Sequence, residues 1–274
     1  MMVRANDATV IPRVTTPAGL PGPWIMTQTW NDLLFAHWPL PPAALLPYVP
    51  PGLALDTFAG QAWLGITPFW ISRLHARGIP PIPGTARFHE INVRTYVRGP
   101  GGSGVLFLSL DAANILAVLG ARIAYHLPYF NTQAAHKRSG QRIRYAARRR
   151  HPGAPGAVFV GGYEPVSGVF NARPGSLEHW LSARFRLFTQ DSRGRLYKAE
   201  IRHKAWPLQE ARARIVRNTM AEAHGLHLPD MPPLLHYTRR LTTFFWLPER
   251  VLPEMDASAP DIDVRVVKQS KEDR

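Results

Sequence analysis

The chain has 274 residues, 45% of them apolar and 19% charged, enough for one large globular domain or two small ones. It has no apolar run of about 18 residues, which excludes a spanning helix. The absence of cysteine excludes disulfides and thiol chemistry and deprives zinc of its best ligands. A net charge of +14 raises nucleic acid as a partner. Against that, only five of the 33 basic residues are lysine. The arginines are scattered except in "QRIRYAARRRH", as in the composition of a GC-rich genome, so nucleic acid is not the expected partner.

The opening stretch, "MMVRANDATVIPRVTTPAGLPGPW", lacks the apolar core of a signal peptide. Residues 1–23 read as a loose Pro/Gly arm, and a cytoplasmic location is expected. "NDLLFAHWPL" reads as a strand, and "PPAALLPYVPPG" as a short helical turn with Pro41 or Pro42 at its start. "LALDTF" and "QAWLGITPFWIS" follow as strands around the Ala59-Gly60 turn, and "GIPPIPG" as a stiff connector. "FHEINVRTYV" and "GVLFLSLDA" form a hairpin through "RGPGGSG", whose glycines supply positive φ. That glycine run is not a dinucleotide loop, because a strand rather than a helix follows it.

A helix is expected over about 112–126, with Asp111 or Asn114 as its cap and Ile115, Leu116, Leu119 and Ile123 on one apolar face. Further strands are expected at 142–150, 157–165, 184–190, 195–206 and 236–247. "PGSLEHWLSARF" reads as a short helix, and "LQEARARIVRNTMAEAHGL" as helix in part. Residues 253–274 form a polar tail, leaving a single domain over 24–252. Many short strands with few helices point to an antiparallel barrel or sandwich with helices packed outside.

Along "FHEINVRTYV" successive side chains alternate faces. His89, Ile91, Val93, Thr95 and Val97 make a core face, while Phe88, Glu90, Asn92, Arg94 and Tyr96 make either a polar cavity wall or a wet surface. On the partner strand Val105, Phe107, Ser109 and Asp111 share one face and three leucines the other. A strand apolar on both faces is buried on both. Glu90 and Arg94 would then face inward, where charges need partners and pKa values are displaced. His224 and His227 have an H-x-x-H spacing but no acidic ligand near them, so no metal is assigned. Arg142, Arg144, Arg148 and Arg150 with His151 read as an anion site or as a solvated edge that blocks sheet-to-sheet pairing.

The ordered series "NDLLFAHWPLPPAALLPYVPPGLALDTFAGQAWLGITPFW", "FHEINVRTYVRG", "GVLFLSLDAANILAVLGARIAYHLPYF" and "HKAWPLQ" resembles the YqjF-like family, a bacterial domain of unknown function, from about Trp24 to Trp246. The resemblance implies an α+β, mainly β fold like that of acetoacetate decarboxylase. Such a fold is a closed antiparallel barrel enclosing a cavity, with a few short helices packed outside. In those decarboxylases a Y-L-D strand leads to a G-R-E helix that stops at P-K-K, and the first lysine forms a Schiff base with the ketoacid. Here "SLD" and "GARIAYHLP" lead to Tyr129 and Phe130, so both lysines are replaced and no imine can form there. The acid of the decarboxylase Y-x-E strand matches Glu90, and Arg122 falls one residue from the G-R-E arginine. The arginine near the start of the decarboxylase barrel has no match, since Pro39 beside His37 and Trp38 stands near its place. Pro128 is expected to end the helix and turn Tyr129 into the cavity.

Two functions follow from the resemblance. One is an enzyme on a small organic acid or carbonyl compound, with Glu90 as acid/base and Tyr129, Arg94 and Arg122 orienting the substrate. The other is a non-catalytic carrier or sensor, binding its ligand through Trp38, Trp63, Phe69, Tyr129 and Phe130, with Asn92 and Ser109 as further contacts. Contact with nucleic acid through Arg142–Arg150 is the third and least supported reading. No cofactor is expected, and a homo-oligomer is compatible with the chain.

Overall fold

The computed structural model describes residues 22–80, 84 and 87–252. The N-terminal arm up to residue 21, part of the "GIPPIPG" connector and the tail from residue 253 lie outside the described residues. The chain runs through β1 (Met26–Leu40), α1 (Pro42–Leu45), β2 (Ala54–Leu55), β3 (Ala62–Ala76), β4 (Arg87–Gly99) and β5 (Gly102–Ala112). It continues with α2 (Ile115–Tyr125), β6 (Tyr129–Ser139), β7 (Arg142–Arg149), β8 (Val158–Pro165) and α3 (Leu177–Ser182). Last come β9 (Arg186–Gln190), β10 (Leu196–His203), β11 (Gln209–Asn218), β12 (Leu234–Phe245) and β13 (Glu249–Arg250). The protein is mainly β. Among the described residues no helix is long and apolar enough to cross a membrane.

The strands hydrogen-bond in the order β13-β10-β9-β5-β6-β7-β8-β11-β12-β1-β3-β4-β2, with further pairings of β10 to β12 and β5 to β4. The expected hairpin is present as β4–β5, with Gly99 opposite Gly102 and positive φ at Gly101 and Gly102. Two pairings correct the wholly antiparallel expectation: β5 runs parallel to both β6 and β9. Helix α2 is therefore a crossover between parallel strands. A second correction concerns "LQEARARIVRNTMAEAHGL", whose helical part is a short 3-10 turn, Glu222–His224, while Gln209–Asn218 is strand β11. Its period is two, Ala211, Ala213 and Ile215 half-buried between exposed Arg212, Arg214 and Val216.

Of the register shifts in the sheet, two change which residues of β1 and β5 share a face. Asp32 takes φ 48°, and between Asn31 and Ala36 strand β1 spends one residue more than its partner β3. On β5 the register jumps from Ser109 opposite Val93 to Phe107 opposite Arg94, leaving Leu108 as the extra residue. Asp32 is held from several sides: Tyr237 and Arg138 donate to its Oδ1 at 2.6 and 2.5 Å, Trp70 to its Oδ2 at 3.1 Å, and Tyr163 to its carbonyl at 2.7 Å. Strand β4 carries apolar residues into two clusters, Ile91 and Val93 on one side and Phe88 on the other.

The helix after β5 departs from expectation at both its face and its end. Ile115, Leu116, Leu119 and Ile123 are exposed, whereas Val118 and Tyr125 are buried. A 3.6-residue period puts Val118 and Tyr125 on one stripe and turns Ile115, Leu119 and Ile123 outward. The helix stops at Tyr125, and His126 adopts φ 53°, so the left-handed residue ends it before Pro128 is reached. Asp111 does not cap it: both carboxylate oxygens accept from Arg149, at 2.7 and 2.8 Å.

Candidate functional site

Bulged β1, β3, β4, β5 and the start of β6 surround a cavity of about 330 Å³. Its wall is mostly apolar, with Trp30, Phe69, Phe88, Phe107, Trp206 and Phe245 prominent, and a few polar groups converge on it. Glu90, Asn92 and Arg94 reach it from alternate positions of β4, Thr67 from β3, Gln28 from β1 and Tyr129 from β6. Leu116, Gly120 and Ala124, one stripe of α2, line it as well.

At one part of this wall the Tyr129 hydroxyl donates to Glu90 Oε2 at 3.2 Å. Thr67 donates to Asn92 Oδ1, which leaves the Asn92 amide to donate to Glu90. Burial pushes the Glu90 carboxyl up to about 8, the bonds from Tyr129 and Asn92 hold it down, and the Asp111 charge raises it further. At neutral pH this carboxyl carries its proton. Burial above all, and then Glu90, lift the Tyr129 phenol well above its ordinary range, so it acts as a hydrogen-bond donor rather than an acid.

Arg94 stands four residues along β4 from Glu90, about 13 Å of strand. Gly65 lies opposite both Arg94 and His37. A Cβ there would stand 3.0 Å from the His37 ring and 3.3 Å from the Arg94 stem, so glycine is what lets both side chains cross this strand. The guanidinium carbon sits 5.1 Å over the Phe35 ring and 5.7 Å over Tyr96. Its Nε is buried without a hydrogen-bond partner, and among the described residues Arg94 has no carboxylate partner. Burial, with Arg94 second, drives His37 well below its ordinary pKa, and its Nε2 shares a 2.7 Å bond with the Tyr96 hydroxyl. Among the described residues Trp206 Nε1 is a second buried donor without a partner; its ring stacks on Trp30 at 5.7 Å and meets Phe35 edge-on at 4.8 Å. Two unsatisfied donors, one of them cationic, thus line the same cavity as the protonated acid and the phenol.

Of the residues singled out in the sequence, Glu90, Asn92, Arg94, Phe69 and Tyr129 come together here. Trp38 does not: the Asp32 bulge reverses the parity of β1 and sends it into the other apolar cluster with Leu34 and Ala36. Ser109 does not either, because the Leu108 bulge turns it away, and it shares a 3.0 Å bond with His224 Nε2. Trp63 is on the cavity-facing side of β3 but farther along, packed on Tyr96 and Leu181. Phe130 alternates outward from Tyr129 and lies beneath the Arg149 guanidinium at 4.0 Å. Arg122 is exposed on α2, its Nη1 3.2 Å from His151 Nε2, and does not line the cavity. Trp206 and Thr67 were not foreseen. "HKAWPLQ" had only marked the resemblance, and Thr67 is one apolar-looking step along β3.

The fold is like that of acetoacetate decarboxylase. The acetoacetate decarboxylase-like enzyme from Sphingomonas wittichii RW1 matches with a TM-score of 0.58 at 13% identity, covering 88% of this chain and 98% of that one. The enduracididine biosynthesis enzyme MppR, complexed with the condensation product of pyruvate and imidazole 4-carboxaldehyde, matches at 0.59 and 12% identity, covering 84% and 90%. Residues 27–242 match the DUF2071 family, described as an uncharacterized conserved protein, and the chain belongs to that family. It is 46% identical over 233 residues to the uncharacterized protein YqjF of Bacillus subtilis (strain 168), covering 85% of this chain and 94% of that protein.

Proposed function

We propose that this chain encloses a small organic acid or carbonyl compound inside a closed β-structure, with Glu90 as proton donor and acceptor. Arg94 and Trp206 take the ligand's carboxylate or carbonyl oxygen, and Tyr129 fixes the Glu90 carboxyl and offers its hydroxyl to the reacting oxygen. The observation that carries this reading is the 3.2 Å bond between Tyr129 and Glu90 in the same cavity as an arginine without a carboxylate partner. A protonated acid facing a bound carbonyl supplies general-acid catalysis of enolisation, addition or dehydration, and none of these needs an imine. The fold neighbour complexed with a pyruvate condensation product lends support, because its ligand is of the class proposed here. Among the described cavity-lining residues there is no lysine. Borohydride treatment in the presence of pyruvate is therefore expected to leave the protein mass unchanged.

The largely aromatic wall favours a second reading, a carrier or sensor that binds the same acids without converting them. Calorimetry with pyruvate and with longer 2-oxo acids on wild type and Arg94→Met tests the binding common to both readings. At least about tenfold weaker binding is expected for Arg94→Met, from the loss of a charged hydrogen bond. Equal binding by the two proteins, or none by wild type, would refute it. Proton–deuterium exchange at the carbon next to the carbonyl then tests for enolisation: exchange that disappears in Glu90→Gln marks the enzyme, and binding with neither exchange nor any change in the ligand's mass or spectrum marks the carrier.

A further inference from the structure

A separate feature lies outside, on the solvent face of β6, β7, β8 and β11. The registers place Lys137 opposite Arg144, Arg144 opposite Gly162, and Gly162 opposite Arg214. Lys137, Arg144 and Arg214 are all exposed. Strands about 4.8 Å apart put the two arginines some 10 Å from each other with a glycine between them. That gap is the floor of a surface hollow of about 420 Å³. Arg142 leans over it: its Nε and Nη2 lie 3.7 and 3.9 Å from where a Cβ on Gly162 would stand. Like charges on neighbouring strands destabilise a sheet, and among the described residues lining this hollow there are four cations and no acid. The carboxylate in the next row, Glu164, is engaged by Arg212 at 2.8 Å. Among the described residues none of Lys137, Arg142, Arg144 and Arg214 has an ion-pair partner. Nor do Arg142 and Arg144 guard a sheet edge, because β7 is paired along both sides, whereas Arg214 lies where β11 pairs with β8 alone.

We propose that this hollow is a binding site for a phosphate monoester, its phosphate seated over Gly162 between Arg142, Arg144 and Arg214. Guanidinium forks carried by strands on both flanks of Gly162 suit a tetrahedral oxyanion. The adjoining row, Ala135, Ala146 and Val160, with Val216 beside it, offers an apolar shoulder for the rest of the ligand. Nucleic acid fits less well. The cations cluster around one glycine rather than tracking a backbone; of the two rings at the hollow, Tyr145 is buried and His136 is already stacked on Trp70 at 5.5 Å, so neither is free to stack on a base.

Calorimetry with inorganic phosphate and with butyl phosphate, at fixed ionic strength, tests the site. Both are expected to bind, butyl phosphate more tightly. Arg144→Gln and Arg214→Gln are each expected to weaken binding about tenfold or more, and Arg148→Gln, outside the hollow, to leave it unchanged. Gly162→Ala, whose methyl would stand 3.6 Å from the Ile143 carbonyl oxygen, fits the fold and narrows the floor, so it also weakens binding. Flotation with phosphatidylcholine vesicles, with and without phosphatidic acid, separates two sources of the phosphate. Recruitment by phosphatidic acid that is lost in Arg144→Gln assigns a lipid headgroup, and no recruitment alongside retained butyl phosphate binding assigns a free ligand. The proposal falls if neither phosphate binds saturably or if Arg148→Gln weakens binding as much as Arg144→Gln. It also falls if a duplex oligonucleotide binds with a salt dependence of many phosphates while butyl phosphate cannot displace it.

Discussion

Tyr129 and Glu90 belong to strands on either side of β5, and the phenol of one donates to the carboxyl of the other at 3.2 Å. The crossover through α2 makes this meeting possible, since it returns the chain parallel to β5 with Tyr129 opposite Leu110. The bond favours the charged form of Glu90 against burial. Tyr129→Phe removes it and leaves Asn92 alone to do so. The Glu90 carboxyl is then expected to titrate above about 8, followed by its carbon-13 resonance, with a stability cost near 1 kcal/mol for one buried hydrogen bond. A titration that moves down would contradict the geometry.

Glu90 also sets a sign for stability against pH. Its carboxyl titrates at about 8 in the folded chain against 4.5 for the free group, so the folded state holds the proton more tightly. Its contribution is fully present below the free value and is lost as pH rises through the folded one. Glu90→Gln keeps the hydrogen-bonding shape and cannot ionise. Relative to wild type it is expected to be stabilised by a few kcal/mol at pH 9 and by almost nothing at pH 4. Urea denaturation of both proteins across that range reads the difference directly. The comparison also cancels the histidines His37, His89 and His224, which burial lowers and which act in the opposite direction in acid.

The ion pair of Asp111 with Arg149 is the most enclosed among the described residues, each side chain 1% exposed. Burial raises the Asp111 carboxyl while Arg149 holds it down. Arg149→Met strands a carboxylate, or forces it to take up a proton, at an expected cost of about 3–5 kcal/mol. Adding Asp111→Asn removes the stranded charge and is expected to restore part of the loss. A double-mutant cycle by chemical denaturation measures the coupling, and additive losses would show that the pair contributes nothing of its own.

The polar face of β4 was legible because period two runs undisturbed from Phe88 through Arg94, and Glu90, Asn92 and Arg94 do line one cavity. Legibility failed where parity changed. Nothing in "NDLLF" or "LFLSL" announces a bulge, because bulges follow from tertiary partners such as those that surround Asp32. Trp38 and Ser109 were misplaced for that reason. Phe130 falls on β6, where alternation turns it to the side opposite Tyr129, yet "YFNTQAAHKRS", with its alanines and polar residues, does not read as a strand.

Helix α2 carries the same lesson into a measurement. Read as an amphipathic helix, its stripe of Ile115, Leu119 and Ile123 belongs against a core, and placing a charge there ought to be ruinous. In the fold that stripe faces outward, with Ile123 77% exposed and Ile115 59%. Ile123→Glu removes little buried area and creates no buried charge. It is expected to shift stability by no more than about 0.5 kcal/mol, as at other exposed positions. Val118, 2% exposed, is the contrasting site. Val118→Ala opens space beneath the helix, with an expected loss of at least 1 kcal/mol from the lost methyl groups and the void they leave. Thermal melts of the two variants decide which stripe is seated. If Ile123→Glu loses more than Val118→Ala, the helix is turned the other way from the one described.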